Sequence, residues 1–176
     1  ASPAADGVPP LLVLGAEVEL ASVTGRRRLA LADFITGIRR TALAPGELVV
    51  ALHLPHPLQG AGGAFVKLGT RTSLVISIAM VAAVVRLTQG RIAGARLAVG
   101  ACSPVARRLP EWEAALIGRT PDEAARLRPD PAHLAGLSPI DDMRATAAYR
   151  LEAVRELCRR AVMQAALSAR EASDAR

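Results

Sequence analysis

Two neighbouring apolar runs constrain the fold of this chain more than any other feature. Residues 75–87 are rich in valine, isoleucine and alanine, and residues 91–100 repeat the pattern after the turn-forming segment Thr88-Gln89-Gly90. β-Branched residues favour strands, and a glycine-containing turn between two such runs indicates an antiparallel hairpin. The apolar part of the first run is much shorter than the roughly 20 residues that a membrane-spanning helix needs, so no membrane span is expected.

Segments on both sides of the hairpin complete an α+β pattern. Further strands are predicted for residues 17–22, 28–31, 48–54 and 64–69. Asp33 is expected to cap a short helix that extends to Arg39. Helices are predicted for residues 110–117, 121–127 and 147–165. In the last of these, apolar side chains recur every three or four positions, while Arg150 and other charged residues fall largely off that stripe. The predicted fold class is therefore α+β, with a small β region, a three-stranded antiparallel sheet and a helical cluster.

The clearest break in the chain falls at residues 55–63, where two prolines and three glycines crowd together. Such crowding is typical of a linker between two packing units. We therefore place a domain boundary here, with residues 1–58 in one domain and residues 59–176 in the other.

Composition and charge exclude several classes of function. The 176 residues carry a net charge of +6, but the arginines are scattered and lack interleaved aromatic residues, so no nucleic-acid interface is expected. Cys102 and Cys158 form no CxxC pair, so we expect reduced thiols in a cytoplasmic protein. His53 and His56 have no third ligand nearby, so no metal site is predicted. No grouping of residues indicates a catalytic site.

Lys67 is the residue that most suggests binding chemistry. It is the only lysine among 22 basic residues, and it lies on a predicted strand before a loop that contains Gly69. A compact ammonium differs from the planar guanidinium of arginine, and it suits a phosphate or an anionic ring oxygen. The alternative is a surface lysine without a function. The loop itself either contacts a polar ligand or is an ordinary connection.

Asp6 is a second candidate, close to the start of the chain. It follows the segment Ser2-Pro3-Ala4-Ala5. Its carboxylate either accepts hydrogen bonds from the hydroxyl groups of a ribose or ribityl chain, or caps the turn that follows. The residues alone leave both interpretations open.

Several motifs, taken in order, resemble one family. They are residues 2–6 (SPAAD), 45–49 (PGELV), 65–71 (FVKLGTR), 76–78 (ISI), 97–104 (LAVGACSP) and 141–150 (DDMRATAAYR). This set resembles the FAD-binding medium subunit of molybdenum hydroxylases, which include the xanthine dehydrogenase and aerobic carbon monoxide dehydrogenase families. The likeness covers nearly the whole chain.

The resemblance implies a fold and a set of site residues. Residues 1–58 would be the second lobe of a PCMH-type FAD-binding domain, and residues 59–176 a C-terminal flavoprotein domain. Asp6, Val49 and Lys67 match positions that contact FAD, with Lys67 at the flavin ring. Arg71 and Leu74 match a loop beside the flavin that influences the access of the electron acceptor. Leu74 stands where some eukaryotic members carry a carboxylate.

The resemblance also implies partners. In this family, electrons pass from a molybdenum cofactor on a large subunit, through 2Fe–2S clusters on a small subunit, to FAD and then to an acceptor. The Gly-rich segments that hold the FAD pyrophosphate precede the point where this sequence starts, so we expect a missing N-terminal FAD lobe and an inactive isolated chain. The alternatives are a non-catalytic assembly or interaction module and, from another class, a basic nucleic-acid-binding domain.

Overall fold

The structure, a computed structural model, describes residues 1–55, 60–72 and 75–174. Two short helices and five strands lie in the first of these ranges. They are α1 (Val8–Val13), β1 (Glu17–Ser22), β2 (Gly25–Ala30), α2 (Leu31–Phe34), β3 (Ile35–Gly37), β4 (Arg40–Thr41) and β5 (Leu48–His53). β1 lies between β2 and β5 in an antiparallel sheet, while β3 pairs with β4.

A four-stranded antiparallel sheet, the second of the two larger sheets, follows with three helices. The strands β6 (Ala61–Leu68), β7 (Ala79–Thr88), β8 (Arg91–Gly100) and β9 (Arg107–Arg108) are neighbours in chain order. The helices are α3 (Pro110–Leu116), α4 (Pro121–Ala125) and α5 (Ala147–Asp174). The hairpin predicted from the two apolar runs is confirmed as β7 and β8, and the α+β class is confirmed. The predicted three-stranded sheet has a short fourth strand, β9, because the chain after β8 turns back along it.

The main core lies between this sheet and α5. The predicted apolar stripe of the last helix is buried at Val154, Cys158, Ala161 and Ala165, in the same cluster as side chains of β7 and β8. Small residues on the helix let it lie close to the sheet, which suits a chain with few aromatic side chains. Within the described ranges, no helix combines the length and the apolar character needed to cross a bilayer.

The two sheets share a second, smaller core around α1. Leu12 of α1 packs with Val18 and Leu20 of β1, and the same cluster contains Ala82 of β7 and Ala98 of β8. This contact fixes the N-terminal segment, which carries Asp6, against the sheet that carries Lys67.

The predicted linker is wrong for residues 61–63, because these residues belong to β6. Residues 56–59, and with them the predicted boundary between residues 58 and 59, lie outside the described residues. β6 already begins at Ala61, and Gly62 is buried within it. A β-carbon on Gly62 would overlap backbone atoms of Ala165 and Ala169 in α5. The glycine is therefore present because the strand lies directly against the helix.

Two other element predictions are wrong at their ends. The helix expected from Asp33 to Arg39 is only the short α2, because Phe34 turns into the core and the chain then continues as β3. The long strand expected from residue 75 begins only at Ala79. The residues before Ala79 instead form hydrogen bonds with Asp6 and Lys67, as described below.

Candidate functional site

A hydrogen-bonded ion pair joins the N-terminal segment to the end of β6. Lys67 Nζ donates to Asp6 Oδ2 at 2.5 Å and to the carbonyl oxygen of Val75 at 2.7 Å. Ser77 Oγ donates to the other carboxylate oxygen, Asp6 Oδ1, at 2.7 Å. The structure thus brings together two of the three residues predicted to bind a cofactor, Asp6 and Lys67, although 61 positions separate them.

Described residues at the two ends of the segment between β6 and β7 contact each other, and these contacts help to position Lys67, Val75 and Ser77. The Ile78 N–H donates to the carbonyl oxygen of Leu68 at 2.8 Å, which closes the loop at its base. Gly69 approaches Val75 so closely that a β-carbon there would overlap the valine side chain. Leu74, for which we predicted an influence on acceptor access, lies outside the described residues.

Asp6 is held as a carboxylate and does not cap the helix that follows it. The N-cap residue of α1 is Gly7, and no side chain of the described residues caps that helix. Burial tends to raise the pKa of Asp6, but hydrogen bonds from Lys67 and Ser77 and the charge of Lys67 outweigh burial, so the pKa lies below its usual value. The Asp6 side chain is 44% exposed, so its remaining lone pairs are accessible to hydroxyl donors.

A cavity of about 270 Å³ opens beside this cluster, with Ser77 in its wall. Its other walls are small or apolar for the most part, and they include Pro3, Ile76, Ala101 and Pro104. Ala101 has a φ of 63°, in the left-handed region that residues other than glycine rarely occupy. Its N–H donates to the carbonyl oxygen of Pro3 at 2.9 Å, so this unusual turn anchors the segment that leads to Asp6.

Arg150 lines the same cavity and is buried, with 2% of its surface exposed. Its Nη1 donates to the carbonyl oxygens of Ile78 and Ala101, and its Nη2 donates to Asp142 Oδ1 at 2.7 Å. Its Nε has no hydrogen-bond partner among the described residues. The expectation that Arg150 falls off the buried face of the helix is therefore wrong. Arg150 precedes the buried Val154 by four positions, so the two residues lie on the same face of the helix. This spacing could have predicted that Arg150 is buried.

Val49, the third predicted site residue, lies on β5 in the other sheet, and it is not among the residues that line the cavity. Glu47 anchors the start of this strand. Arg27 Nε and Nη2 donate to its two carboxylate oxygens at 2.6 and 2.7 Å, and the Ala44 N–H donates to Oε2 at 2.7 Å. The hydrogen bonds from Arg27 and Ala44 hold the pKa of Glu47 at about 2. The Pro-Gly-Glu motif thus fixes the position of β5.

Ser77 is the site residue that sequence reasoning missed. It interrupts the apolar run of residues 75–85, and a buried hydroxyl in such a run needs a hydrogen-bond partner. That interruption was the only signal, and it did not identify Asp6 as the partner.

The described residues contain no group of three or more histidine, cysteine, aspartate and glutamate side chains arranged to hold a metal ion. His53 forms a hydrogen bond with Glu19, and His56 lies outside the described residues. Cys102 and Cys158 are buried free thiols. Burial raises the pKa of Cys102 to about 11 and also raises that of Cys158, so both resist ionisation.

Two family models match the chain. The FAD binding domain in molybdopterin dehydrogenase matches residues 1–57. The CO dehydrogenase flavoprotein C-terminal domain matches residues 64–165.

Proteins similar to this chain are subunits of oxidoreductases. The nicotine 6-hydroxylase medium subunit of Paenarthrobacter nicotinovorans is 35% identical over 159 residues, which cover 88% of this chain and 54% of that protein. The carbon monoxide dehydrogenase medium chain of Afipia carboxidovorans is 31% identical over 152 residues, which cover 86% of this chain and 52% of that protein. The crystal structure of quinoline 2-oxidoreductase from Pseudomonas putida 86 matches with a TM-score of 0.84 and 28% identity, over 96% of this chain and 58% of that chain.

The chain therefore belongs to the family of FAD-binding medium subunits of xanthine dehydrogenase and carbon monoxide dehydrogenase type enzymes. The resemblance read from the sequence motifs is confirmed. The chain spans about half the length of the curated relatives it matches.

Proposed function

We propose that this chain forms part of the FAD-binding subunit of a molybdenum hydroxylase, and that Asp6, Val49 and Lys67 contact FAD. One observation carries the proposal. The Lys67 ammonium and the Asp6 carboxylate meet beside a small, mainly apolar cavity, and Ser77, which donates a hydrogen bond to Asp6, lies in the cavity wall. A cation, an anion and an apolar wall together suit a ligand that has both polar groups and a flat ring.

Among the described residues, Lys67 leaves one N–H donor for such a ligand. An ammonium carries three N–H groups, and those of Lys67 reach two acceptors among the described residues, Asp6 and the Val75 carbonyl oxygen. Its positive charge stabilises negative charge on a ring oxygen or a phosphate. FAD, when bound, supplies the redox-active flavin ring. Asp6 holds Lys67 in place and accepts hydrogen bonds from hydroxyl groups of the cofactor.

The described site is only one wall of an FAD site. The cavity of about 270 Å³ is smaller than the roughly 300–1,000 Å³ of sites for drug-sized ligands, and FAD is larger than those ligands. A pyrophosphate also needs a concave set of backbone N–H groups, which we assign to an N-terminal lobe outside this sequence. Residues 1–58 then form the second FAD lobe, and residues 59–176 form the C-terminal flavoprotein domain. Val49 contacts a different part of the cofactor from Lys67.

We assign the rest of the electron path to partners. A molybdenum cofactor on a large subunit and 2Fe–2S clusters on a small subunit deliver electrons to FAD on this subunit, which passes them to an acceptor in the cytoplasm. The two cysteines of this chain are too few to hold such a cluster. The isolated chain is therefore inactive in turnover.

Titration of FAD fluorescence with the 176-residue chain tests the proposal. We expect a micromolar or weaker Kd, because only one wall of the site is present. Lys67→Ala weakens binding roughly 10–100-fold, since a hydrogen bond to a charged group contributes about 1.5–3 kcal/mol. Lys67→Arg restores only part of the affinity because its guanidinium is bulkier.

Arg107→Ala is the matched control, since it also removes one positive charge but lies on β9, outside the walls of the cavity. Its Kd should equal that of the unaltered chain. An unchanged Kd for Lys67→Ala would contradict the proposal, as would an isolated chain that purifies with stoichiometric FAD.

A further inference from the structure

Two segments that are far apart in the sequence meet at the candidate site, and their relative position decides its geometry. Asp6 belongs to the N-terminal segment, whereas Ser77, which donates to its carboxylate, lies just before β7. The Asp6 oxygens lie 2.5 Å from Lys67 Nζ and 2.7 Å from Ser77 Oγ. A displacement of the two segments by about 1 Å would break these hydrogen bonds. The site therefore depends on contacts that fix one segment to the other.

The guanidinium of Arg150 links the two segments through one nitrogen atom. Its Nη1 donates to the carbonyl oxygen of Ile78, the residue after Ser77, and to the carbonyl oxygen of Ala101 at 3.3 Å. The N–H of Ala101 in turn donates to the carbonyl oxygen of Pro3 at 2.9 Å, in the N-terminal segment. One nitrogen of Arg150 therefore connects the neighbour of Ser77 with the segment that carries the site aspartate.

Ala101 is the strained part of this connection. Its φ of 63° is unfavourable for alanine, because the β-carbon is crowded in the left-handed region. Its N–H donates to Pro3 and its carbonyl oxygen accepts from Arg150. A strained backbone persists only where its surroundings hold it. Loss of the guanidinium therefore lets the turn at Ala101 relax and displaces Pro3.

Arg150 is itself fixed in position. Its side chain is buried, and its Nη2 donates to Asp142 Oδ1 at 2.7 Å. The same carboxylate oxygen accepts hydrogen bonds from the backbone N–H groups of Arg144 and Ala145, at 2.8 and 3.3 Å. A guanidinium that is held on one side by an anchored carboxylate can hold its carbonyl partners on the other side in a defined position.

We propose that Arg150 is a positioning residue of the cofactor site. Its guanidinium holds Ser77 and Asp6 in the arrangement in which the carboxylate and the Lys67 ammonium face FAD. The inference rests on the proposed function. Arg150 acts through two backbone carbonyl oxygens and not through contact with FAD.

Titration of FAD fluorescence with variants of the 176-residue chain tests the proposal. Arg150→Gln keeps one amide donor group but cannot reach Asp142 and both carbonyl oxygens at once, so the Kd for FAD should rise about tenfold. Arg150→Lys keeps the charge and three donors without the planar fork, and it should restore part of the affinity.

Val154→Ala is the control for a general loss of stability. Val154 is buried one helical turn after Arg150 on α5 and is not among the residues that line the cavity. The substitution removes buried volume, but it should leave the Kd for FAD unchanged at a temperature at which circular dichroism shows a folded chain. An equal rise in Kd for Val154→Ala and Arg150→Gln would overturn the positioning role, as would an unchanged Kd for Arg150→Gln.

A double-mutant cycle shows whether Arg150 acts through Asp6. Asp6→Asn alone should raise the Kd for FAD about tenfold, because it removes the charge that holds Lys67. In that background Arg150→Gln should add less than about threefold, since the group that it positions is already impaired. A full tenfold loss from Arg150→Gln in both backgrounds would overturn the proposal.

Proton exchange at Lys67 gives a readout without FAD. Lys67 is the only lysine, so the ε-¹⁵N lysine label gives one ammonium signal in the Arg150→Gln chain. A displaced Asp6 weakens the hydrogen bond to this ammonium, and its protons should exchange with water about tenfold faster than in the unaltered chain and in Val154→Ala. Equal exchange rates in all three chains would overturn the proposal.

The Lys67→Ala chain separates this inference from the proposed function. A normal Kd for FAD in Lys67→Ala contradicts the cofactor site, and proton exchange then decides whether Arg150 holds the Asp6–Lys67 pair. A raised Kd in Lys67→Ala together with a normal Kd in Arg150→Gln contradicts the positioning role alone. Asp142→Asn, which weakens the anchor of the guanidinium, replaces Arg150→Gln if the latter fails to fold.

Discussion

Gly62→Ala tests the close approach of β6 to α5. The added β-carbon would overlap backbone atoms of Ala165 and Ala169 and would lie 2.7 Å from the carbonyl carbon of Ser168. Because these obstacles are helix backbone, no side chain can rotate away, and either β6 or α5 must shift. Overpacking costs about 1–3 kcal/mol, and rigid backbone neighbours place this case at about 3 kcal/mol.

Gly63→Ala is the matched control on the next residue. Its nearest atom would be the Ala83 carbonyl oxygen at 3.8 Å, an ordinary contact, and the residue is exposed. We expect its free energy of unfolding to change by less than about 1 kcal/mol, with slight stabilisation from the lower entropy of the unfolded chain.

Urea denaturation followed by circular dichroism measures both variants, and thermal melting provides a second estimate. For a chain of this length, about 3 kcal/mol corresponds to a Tm lowered by roughly 6–12 °C. A Gly62→Ala variant as stable as Gly63→Ala would refute the direct packing of β6 on α5.

Two further predictions concern charged side chains. Arg150→Met removes the guanidinium that forms hydrogen bonds with Asp142 and two carbonyl oxygens. It should lower the free energy of unfolding by about 3 kcal/mol, measured by urea denaturation. The control Arg107→Met, on β9, should change it by less than about 0.5 kcal/mol. Hydrogen bonds from Arg159 and Arg160 lower the pKa of Glu156 from its usual value of 4.5 to about 2. The unfolded chain therefore binds more protons between these values, so stability is present above pH 4.5 and is lost as the pH falls toward 2. Glu156→Gln should lower stability at pH 7 and should make the loss of stability at low pH less steep, as measured by urea midpoints. The same change at the exposed Glu171 should do neither.

Equal stability of the Arg150→Met and Arg107→Met variants would mean that the hydrogen bonds of Arg150 contribute nothing net. A pH profile that is as steep in Glu156→Gln as in the unaltered chain would assign the acid sensitivity to other carboxylates.

The parts of the fold that follow from local pattern were predictable. The hairpin of β7 and β8 is encoded by two β-branched runs and a turn, and the buried stripe of α5 by its spacing. Gly62 was misread as linker because its role depends on a helix about one hundred residues later in the chain. No local rule distinguishes a glycine needed for close packing from one needed for flexibility.

The candidate site was predictable in its members more than in its geometry. Lys67 stood out because the chain otherwise uses arginine, Asp6 was a candidate with two open interpretations, and the family motifs added Val49. Asp6 pairs with Lys67, and Ser77 is a second partner of the carboxylate. Both contacts depend on the packing of α1 against the second sheet. Such non-local contacts leave almost no trace in the sequence.

Lys67 allows a direct measurement of its own role, because it is the only lysine in the chain. Labelling with ε-¹⁵N lysine gives a single side-chain ammonium signal, and its hydrogen bonds to Asp6 and Val75 slow proton exchange enough to favour detection. Our account predicts that FAD shifts this signal in a saturable way, and that FMN shifts it while AMP does not, because Lys67 lies at the flavin end. A signal that stays unchanged while FAD saturates the protein, or that responds to AMP and not to FMN, would contradict the assignment of Lys67 to the flavin.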